Sequence, residues 1–312
     1  MLVSRLFSSA YYRQMQEAAQ IYQKRNAFYC VAASPDNSAI AAAGKDGALH
    51  LYRSGDWEPM GSFYAHRKRV TCMAFNRAGT RVVTGSSDRT CIIWSFPEGA
   101  PLFTLEKHRR SVSDVAFSPD GTLLVSAGFD SRLILWSVEV GWELHTARGE
   151  HRSVQSVAFS PDGEYLVTTG YGGELVLLGV PDLEPFRVLP SHPVAAYSPT
   201  FSPDGTLLAT LGFDNQLVLR STADWSMFAG VELPRGGMCP LSFSHDGSML
   251  AVGTPRLIIV FDTEQMERLL EIPTTARGSF DIDFSIDDRF LLVSCSDKRL
   301  HIWDIGELTV VH

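Results

Sequence analysis

The chain has 312 residues, 45% of them hydrophobic and 20% charged, with 25 glycines and 16 prolines; this is the composition of a turn-rich globular protein with a sizeable core, and it excludes a disordered chain. The formal net charge of -8 argues against nonspecific nucleic-acid binding by the whole surface, while a local basic patch is compatible with it. The longest apolar stretches, such as residues 257–261, are strand-sized and fall far short of the roughly 18–20 residues of a membrane-spanning helix.

Residues 1–26 precede any internal repetition. Tyr11, Tyr12, Met15, Ala18, Ala19 and Tyr22 recur at helical spacing, which predicts an amphipathic helix over 10–25. Residues 1–16 also hold Arg5, Arg13 and three serines with no acid, and Arg5-Leu6-Phe7-Ser8-Ser9 resembles a presequence cleavage site; that is the pattern of a mitochondrial targeting segment. The extension therefore reads either as a helix packed on the rest of the chain or as an import signal, and the protein as cytoplasmic or mitochondrial.

From residue 27 onward the sequence repeats. Ala-Phe-Ser-Pro-Asp-Gly stands at 116–121 and 158–163, Thr-Phe-Ser-Pro-Asp-Gly at 200–205 and Ser-Phe-Ser-His-Asp-Gly at 242–247, with weaker copies near Ala33, Phe75 and Phe284. The aligned positions 33, 75, 117, 159, 201, 243 and 284 are 42 apart five times and then 41. Short strands on a period of ~40–45 residues are the mark of propeller blades. The predicted fold is all-β: a seven-bladed β-propeller of four-stranded antiparallel blades, spanning about 27–66, 67–108, 109–151, 152–192, 193–235, 236–277 and 278–312. In blade 3 the strands read as 112–118 (a), 122–127 (b), 132–136 (c) and 143–146 (d), with Asp120-Gly121 as the a–b turn. No blade can cover both of its faces alone, so seven must stack in a ring.

Within each period a His before strand a, a hydroxyl in b, an Asp in the b–c turn and a Trp ending c recur: His66, Thr84, Asp88 and Trp94, then His108, Ser126, Asp130 and Trp136. This set resembles the WD-repeat family over residues 27–312. The resemblance implies a hydrogen-bonded chain from indole to hydroxyl to imidazole to carboxylate in each complete blade. Blade 1 departs with Tyr52 at the Trp position, and blade 4 keeps His151 but has Gly172 and Leu178. Blade 5 has His192 and Asp214 with Arg220 in place of Trp, blade 6 has only Phe261, and blade 7 has Asp297 and Trp303 without the His. These blades are expected to rest on apolar packing instead. Ring closure has two candidates for the last outer strand, 308–311 and 2–7, with the C-terminal segment preferred.

Searching for chemistry yields little. The five cysteines, Cys30, Cys72, Cys91, Cys239 and Cys295, include no C-x-x-C pair; they read as reduced core fillers in a reducing compartment, not as metal ligands. His66, His108, His151 and His192 follow the repeat and belong to the scaffold. No metalloprotease, phosphate-loop or nucleophile-elbow motif occurs. The expectation is a noncatalytic protein with no cofactor, no bound metal and no membrane span.

The surface says more. In a propeller the d–a and b–c loops share one face. The d–a loops carry Arg67, Lys68, Arg69, Lys107, Arg109, Arg110, Arg148 and Arg152, and the b–c loops add Lys45, Arg89 and Arg132, which predicts a basic arc over blades 1–4. Phe129, Tyr171 and Phe213 adjoin it on blades 3–5. The opposite face gathers the turn aspartates. Aromatic side chains beside arginines are the composition of binding hot spots. The sequence thus points to a scaffold, a subunit of a hetero-oligomeric protein complex, whose basic face takes an acidic or phosphorylated segment of another protein. The alternatives are an RNA- or anionic-lipid-binding propeller, or a mitochondrial complex subunit docked through its N-terminal helix. The Arg that ubiquitin-ligase receptors of the family carry after Trp-Asp is missing at 94–96, 136–138 and 303–305, which counts against that role.

Overall fold

A computed structural model describes residues 17–22, 27–149, 153–235, 240–274, 276 and 278–306. The described residues form seven four-stranded antiparallel sheets, each ordered a-b-c-d from the centre of a ring outward. Blade 3 comprises Val112–Phe117, Leu123–Gly128, Arg132–Ser137 and Glu143–Arg148, within two residues of the strand ends expected from sequence. Strand a carries a bulge near its start, as between Val112 and Asp114.

The burial pattern follows from the wedge geometry. Strands b and c are buried along nearly their whole length, as in Leu207–Gly212 and Leu257–Asp262, because a neighbouring blade covers each of their faces. The d strands alternate or lie open, as in Glu143–Arg148 and Pro185–Pro190. Apolar clusters accordingly straddle the seams and draw on two blades each. Val83, Ile93 and Leu105 of blade 2 meet Val112, Leu124 and Trp136 of blade 3, and Leu211, Leu217 and Leu219 of blade 5 meet Leu250, Ile259 and Phe261 of blade 6.

The a–b turns repeat one device. Ser34, Ser118, Ser160, Ser202, Ser244 and Ser285 each donate a hydroxyl proton to the aspartate two residues on, at 2.5–2.7 Å. In blade 2, Asn76 replaces the serine and accepts from Thr80 N and Arg81 N. Glycines follow in the left-handed region, such as Gly121 at φ 71° and Gly205 at φ 75°, where a side chain would be strained.

Around the central channel, side chains of the inner strands bridge neighbouring blades. Thr71 Oγ1 donates to Val112 O at 2.8 Å and Ser113 Oγ to Val154 O at 2.8 Å. Carboxylates do the same with backbone N–H groups. Asp114 accepts from Val157 N at 2.9 Å, and across the closing seam Asp281 accepts from Val31 N and Asp283 from Ala33 N, both at 3.0 Å.

The ring closes differently from the sequence expectation. Glu17–Tyr22 is a strand, not part of a helix, and it supplies strand d of blade 7 by pairing antiparallel with Arg299–Asp304. The helical spacing of Ala18, Ala19 and Tyr22 competes with a two-residue alternation in the same stretch. Ala19 and Ile21 face inward onto the cluster of Phe28, Ile40, Leu292 and Ile302, and an open edge on strand c of blade 7 decides for the strand. The preferred 308–311 and the rival 2–7 lie outside the described residues, as do positions 10–16 and 23–25 of the expected helix. The outer-strand position that 308–311 was expected to fill is taken by Glu17–Tyr22.

Two tests follow. Ile21→Ala should lower stability by about 1–2 kcal/mol in urea unfolding, since a half-buried aliphatic contact on the closing strand is lost; an unchanged midpoint would show that this strand does not hold the ring. The second concerns the half-buried channel acids Asp114 and Asp281. Burial pushes Asp114 up to about 7 and Asp281 up to about 8, against the hydrogen bonds they accept. Their folded values lie above the unfolded one near ~3.9, so their contribution is present at acid pH and is lost as pH rises through 7–8. Stability should fall from about pH 4 to about pH 8 and level off above that, and Asp281→Asn should flatten the fall. A wild type and variant with superimposable pH profiles would contradict this.

Candidate functional site

The face built from d–a and b–c loops is organised by the repeated polar sets. In blade 2, Trp94 Nε1 donates to Thr84 Oγ1 at 2.8 Å, Thr84 is 2.8 Å from His66 Nε2, and His66 Nδ1 is 3.1 Å from Asp88. An indole N–H can only donate, so Thr84 accepts from it and donates its own O–H to Nε2, and Nδ1–H donates to the carboxylate. Blade 3 repeats the chain at 2.9, 2.8 and 3.0 Å through Trp136, Ser126, His108 and Asp130. Burial raises Asp88, but the His66 and Thr90 hydrogen bonds outweigh it and hold the carboxyl well below the usual range. Asp88 and Asp130 also accept from Arg67 N and Arg109 N, at 2.8 and 2.6 Å. The polar sets thereby fix the backbone of the cationic loops.

Three incomplete blades keep part of this device, which corrects the expectation of purely apolar packing there. In blade 5, His192 still reaches Asp214 at 3.1 Å and Thr210 at 3.2 Å. Its Arg220 turns to the carbonyls of Trp225 and Pro190, at 3.0 and 2.6 Å. Burial lowers His192 and Arg220 alike. In blades 1 and 7 the imidazole comes from strand c: His50 Nε2 is 2.9 Å from Asp46, and His301 Nε2 is 2.9 Å from Asp297. The sequence signal existed, since both histidines stand four residues after the turn aspartate, but a search for a His before strand a passes over it. Blades 4 and 6 do carry apolar side chains at the Trp position, Leu178 and Phe261, in the seam clusters. His151 lies outside the described residues.

Of the cations expected to form the basic arc, Lys45, Arg67, Lys68, Arg89, Arg109, Arg110 and Arg148 are exposed. Among the described residues, Arg67, Lys68, Arg89, Arg109 and Arg110 form no ion pair with a carboxylate. Lys107 is engaged with Glu143 at 3.3 Å. Arg69 is also exposed, but it is engaged, its Nε 3.1 Å from Ser87 Oγ and its guanidinium 5.6 Å from the Tyr29 ring centre. Arg132 is half-buried, and Arg152 lies outside the described residues. The cations that remain concentrate on blades 2 and 3, and a cavity of about 500 Å³ between Arg67, Asp88, Arg89, Thr90, Glu106 and His108 opens among them.

The three aromatics divide. Phe129 is joined to the cationic loop of blade 3 by its N–H to Ser111 O at 3.0 Å and is 37% exposed. Tyr171 and Phe213 sit farther round the ring on blades 4 and 5, beside exposed Val194; Phe213 stacks edge-on with Tyr197 at 5.4 Å. On the opposite face, Ser118 and Thr122 hold Asp120 below the usual carboxylate range, and Ser202 and Thr206 do so for Asp204.

Seven four-stranded blades with a Trp-hydroxyl-His-Asp chain in two of them define a WD-type propeller. The family described as WD domain, G-beta repeat matches residues 19–53, 57–95, 99–137, 141–177 and 275–304, more than half of the sequence. The chain belongs to this family. Its first matched stretch begins inside the closing strand. The family's propellers are in general protein-interaction scaffolds. No curated protein matches the chain, and no helix among the described residues is long and apolar enough to cross a membrane.

The polar sets yield a graded expectation. His66→Ala takes from Asp88, whose side chain is 7% exposed, its imidazole donor and should cost about 2–4 kcal/mol. His50→Ala should cost less, since Asp46 is 23% exposed and water can replace the imidazole. Urea unfolding of the two variants checks this; equal losses would contradict it.

Proposed function

We propose that the protein is a noncatalytic scaffold, a subunit of a larger multiprotein assembly, that takes an acidic or phosphorylated segment of a partner on its d–a and b–c loop face. The observation that carries this reading is the group of exposed cations Arg67, Lys68, Arg89, Arg109 and Arg110 on two adjacent blades, without carboxylate partners among the described residues. Phe129 stands beside them, and a cavity lined by Arg67 and Arg89, as well as by Asp88 and Glu106, opens among them; its two guanidinium groups are the donors for a carboxylate or phosphate group. A rigid loop backbone, tied down by Asp88 and Asp130, presents these cations with little ordering left to do on binding. The opposite face, lined with ionised turn aspartates, repels the same ligand and so orients its approach. Tyr171 and Phe213 extend the surface toward apolar side chains of the partner.

Charge reversal at Arg67, Arg109 and Arg110 should abolish recovery of the partner in gentle purification of the tagged protein and weaken a purified interaction by at least about tenfold. Undiminished recovery with a folded triple variant would refute the reading. Affinity that falls with salt on the steep logarithmic slope of phosphate-backbone neutralisation would assign the same face to RNA instead.

A further inference from the structure

Blade 7 gathers more side chains around its His–Asp pair than the scaffold requires. Cys295 ends strand b, Asp297 lies in the b–c turn, His301 is in strand c, and Glu17 comes from the closing strand. One ligand atom from each of Cys295, Asp297 and His301 lies within 4.8 Å of the others. His301 Nε2 is 2.9 Å from Asp297 Oδ2, while its Nδ1 is hydrogen-bonded to Glu17 Oε1.

Blade 1 supplies an internal comparison. There the same imidazole–carboxylate pair, His50 and Asp46, also stands at 2.9 Å. Gly44 occupies the position of Cys295, however, and the Ser62 hydroxyl meets Nδ1 at 2.7 Å where blade 7 has Glu17. An Asp–His pair is therefore enough to finish a blade. Blade 7 adds a thiol and a second carboxylate, so that two acids converge on one ring, which can balance only one of them even when protonated.

We propose that Cys295 Sγ, Asp297 Oδ2 and His301 Nε2 bind one divalent metal ion of the zinc class, with Glu17 holding the ring through Nδ1–H. Mixed sulfur, nitrogen and oxygen donors suit zinc, and three protein ligands leave a fourth position for water. A carboxylate on the far nitrogen of a ligating histidine fixes the tautomer that presents the other nitrogen to the metal. The Trp303 indole lies nearly parallel to the imidazole, at 11° and 6.5 Å between ring centres, and Asp297, 21% exposed, opens the site to solvent. On binding, the thiol proton and any proton on Nε2 leave to bulk water, and the positive ion replaces them among the acids. Because Glu17 belongs to the closing strand, occupancy also fastens the seam between the chain's two ends.

The test uses the full chain, stripped with chelator and titrated with Zn²⁺ or Co²⁺ alone. One zinc per chain is expected, with proton release, a rise in melting temperature, and a thiolate-to-cobalt charge-transfer band for Co²⁺. Cys295→Ser keeps the Asp297–His301 pair and should remove that band and the tight zinc. Glu17→Gln should weaken zinc by about 10–100-fold, the usual effect of losing an outer carboxylate. Asp46→Asn, which alters the equivalent pair in blade 1, should leave binding unchanged. Well under one zinc per wild-type chain, or equal binding by folded Cys295→Ser, would overturn the proposal. The partner-capture experiment does not depend on this result.

Discussion

The constraint behind the whole molecule is that each sheet has two apolar faces and no means of covering either. A strand such as Leu124 to Ala127, buried on both sides, acquires its environment only when the next blade is in place. Stability therefore resides in seams, where clusters from adjacent blades interlock, and a ring is the arrangement in which every face finds a partner. The polar inner ring reinforces this. The Thr71 and Ser113 hydroxyls and the Asp114, Asp281 and Asp283 carboxylates reach across seams at the narrow ends of the wedges, where apolar side chains have little room.

The same economy accounts for the electrical character of one face but not of the other. Turn aspartates line one side because Ser-x-Asp-Gly is a hydrogen-bonded turn that works in blade after blade, so negative charge there is a by-product of folding. Arg67, Arg89, Arg109 and Arg110 form no such turn. Asp88 and Asp130 grip the backbone N–H groups of Arg67 and Arg109, not their guanidinium groups. The side chains of Arg67 and Arg109 are left exposed on loops whose backbone is held, which suits the proposed recognition surface.

Much of this was legible from the chain alone, for definite reasons. The repeat of Phe-Ser-Pro-Asp-Gly fixes blade number because turn chemistry tolerates few substitutions, and alternation within 112–118 fixes the inner strand. Three features escaped. Residues 17–22 fit both a helical and an alternating pattern, and only the unpaired edge of a strand some 280 residues away in sequence selects the second. His50 and His301 satisfy their aspartates from strand c, because the imidazole can enter the same space from either side of the turn. Asp114 and Asp281 look like ordinary polar positions of an alternating strand, and only the ring geometry turns those positions into a confined channel. Of the site, the loops carrying the cations were readable. The diversion of Lys107 to Glu143 and of Arg69 toward Tyr29 was not, since both depend on neighbours brought up by the fold.

The pairing of Glu17–Tyr22 with Arg299–Asp304 bears on how the molecule is made. The ribosome delivers the first of these strands some 280 residues before its mate, so the earlier segment must wait, unpaired, through the synthesis of six blades. Closure is then the longest-range event in the propeller, entropically slow compared with the local hairpins. Until it occurs, two raw edges stand open to adhesion with other nascent chains. Truncated translation products should for that reason be the species most in need of chaperones.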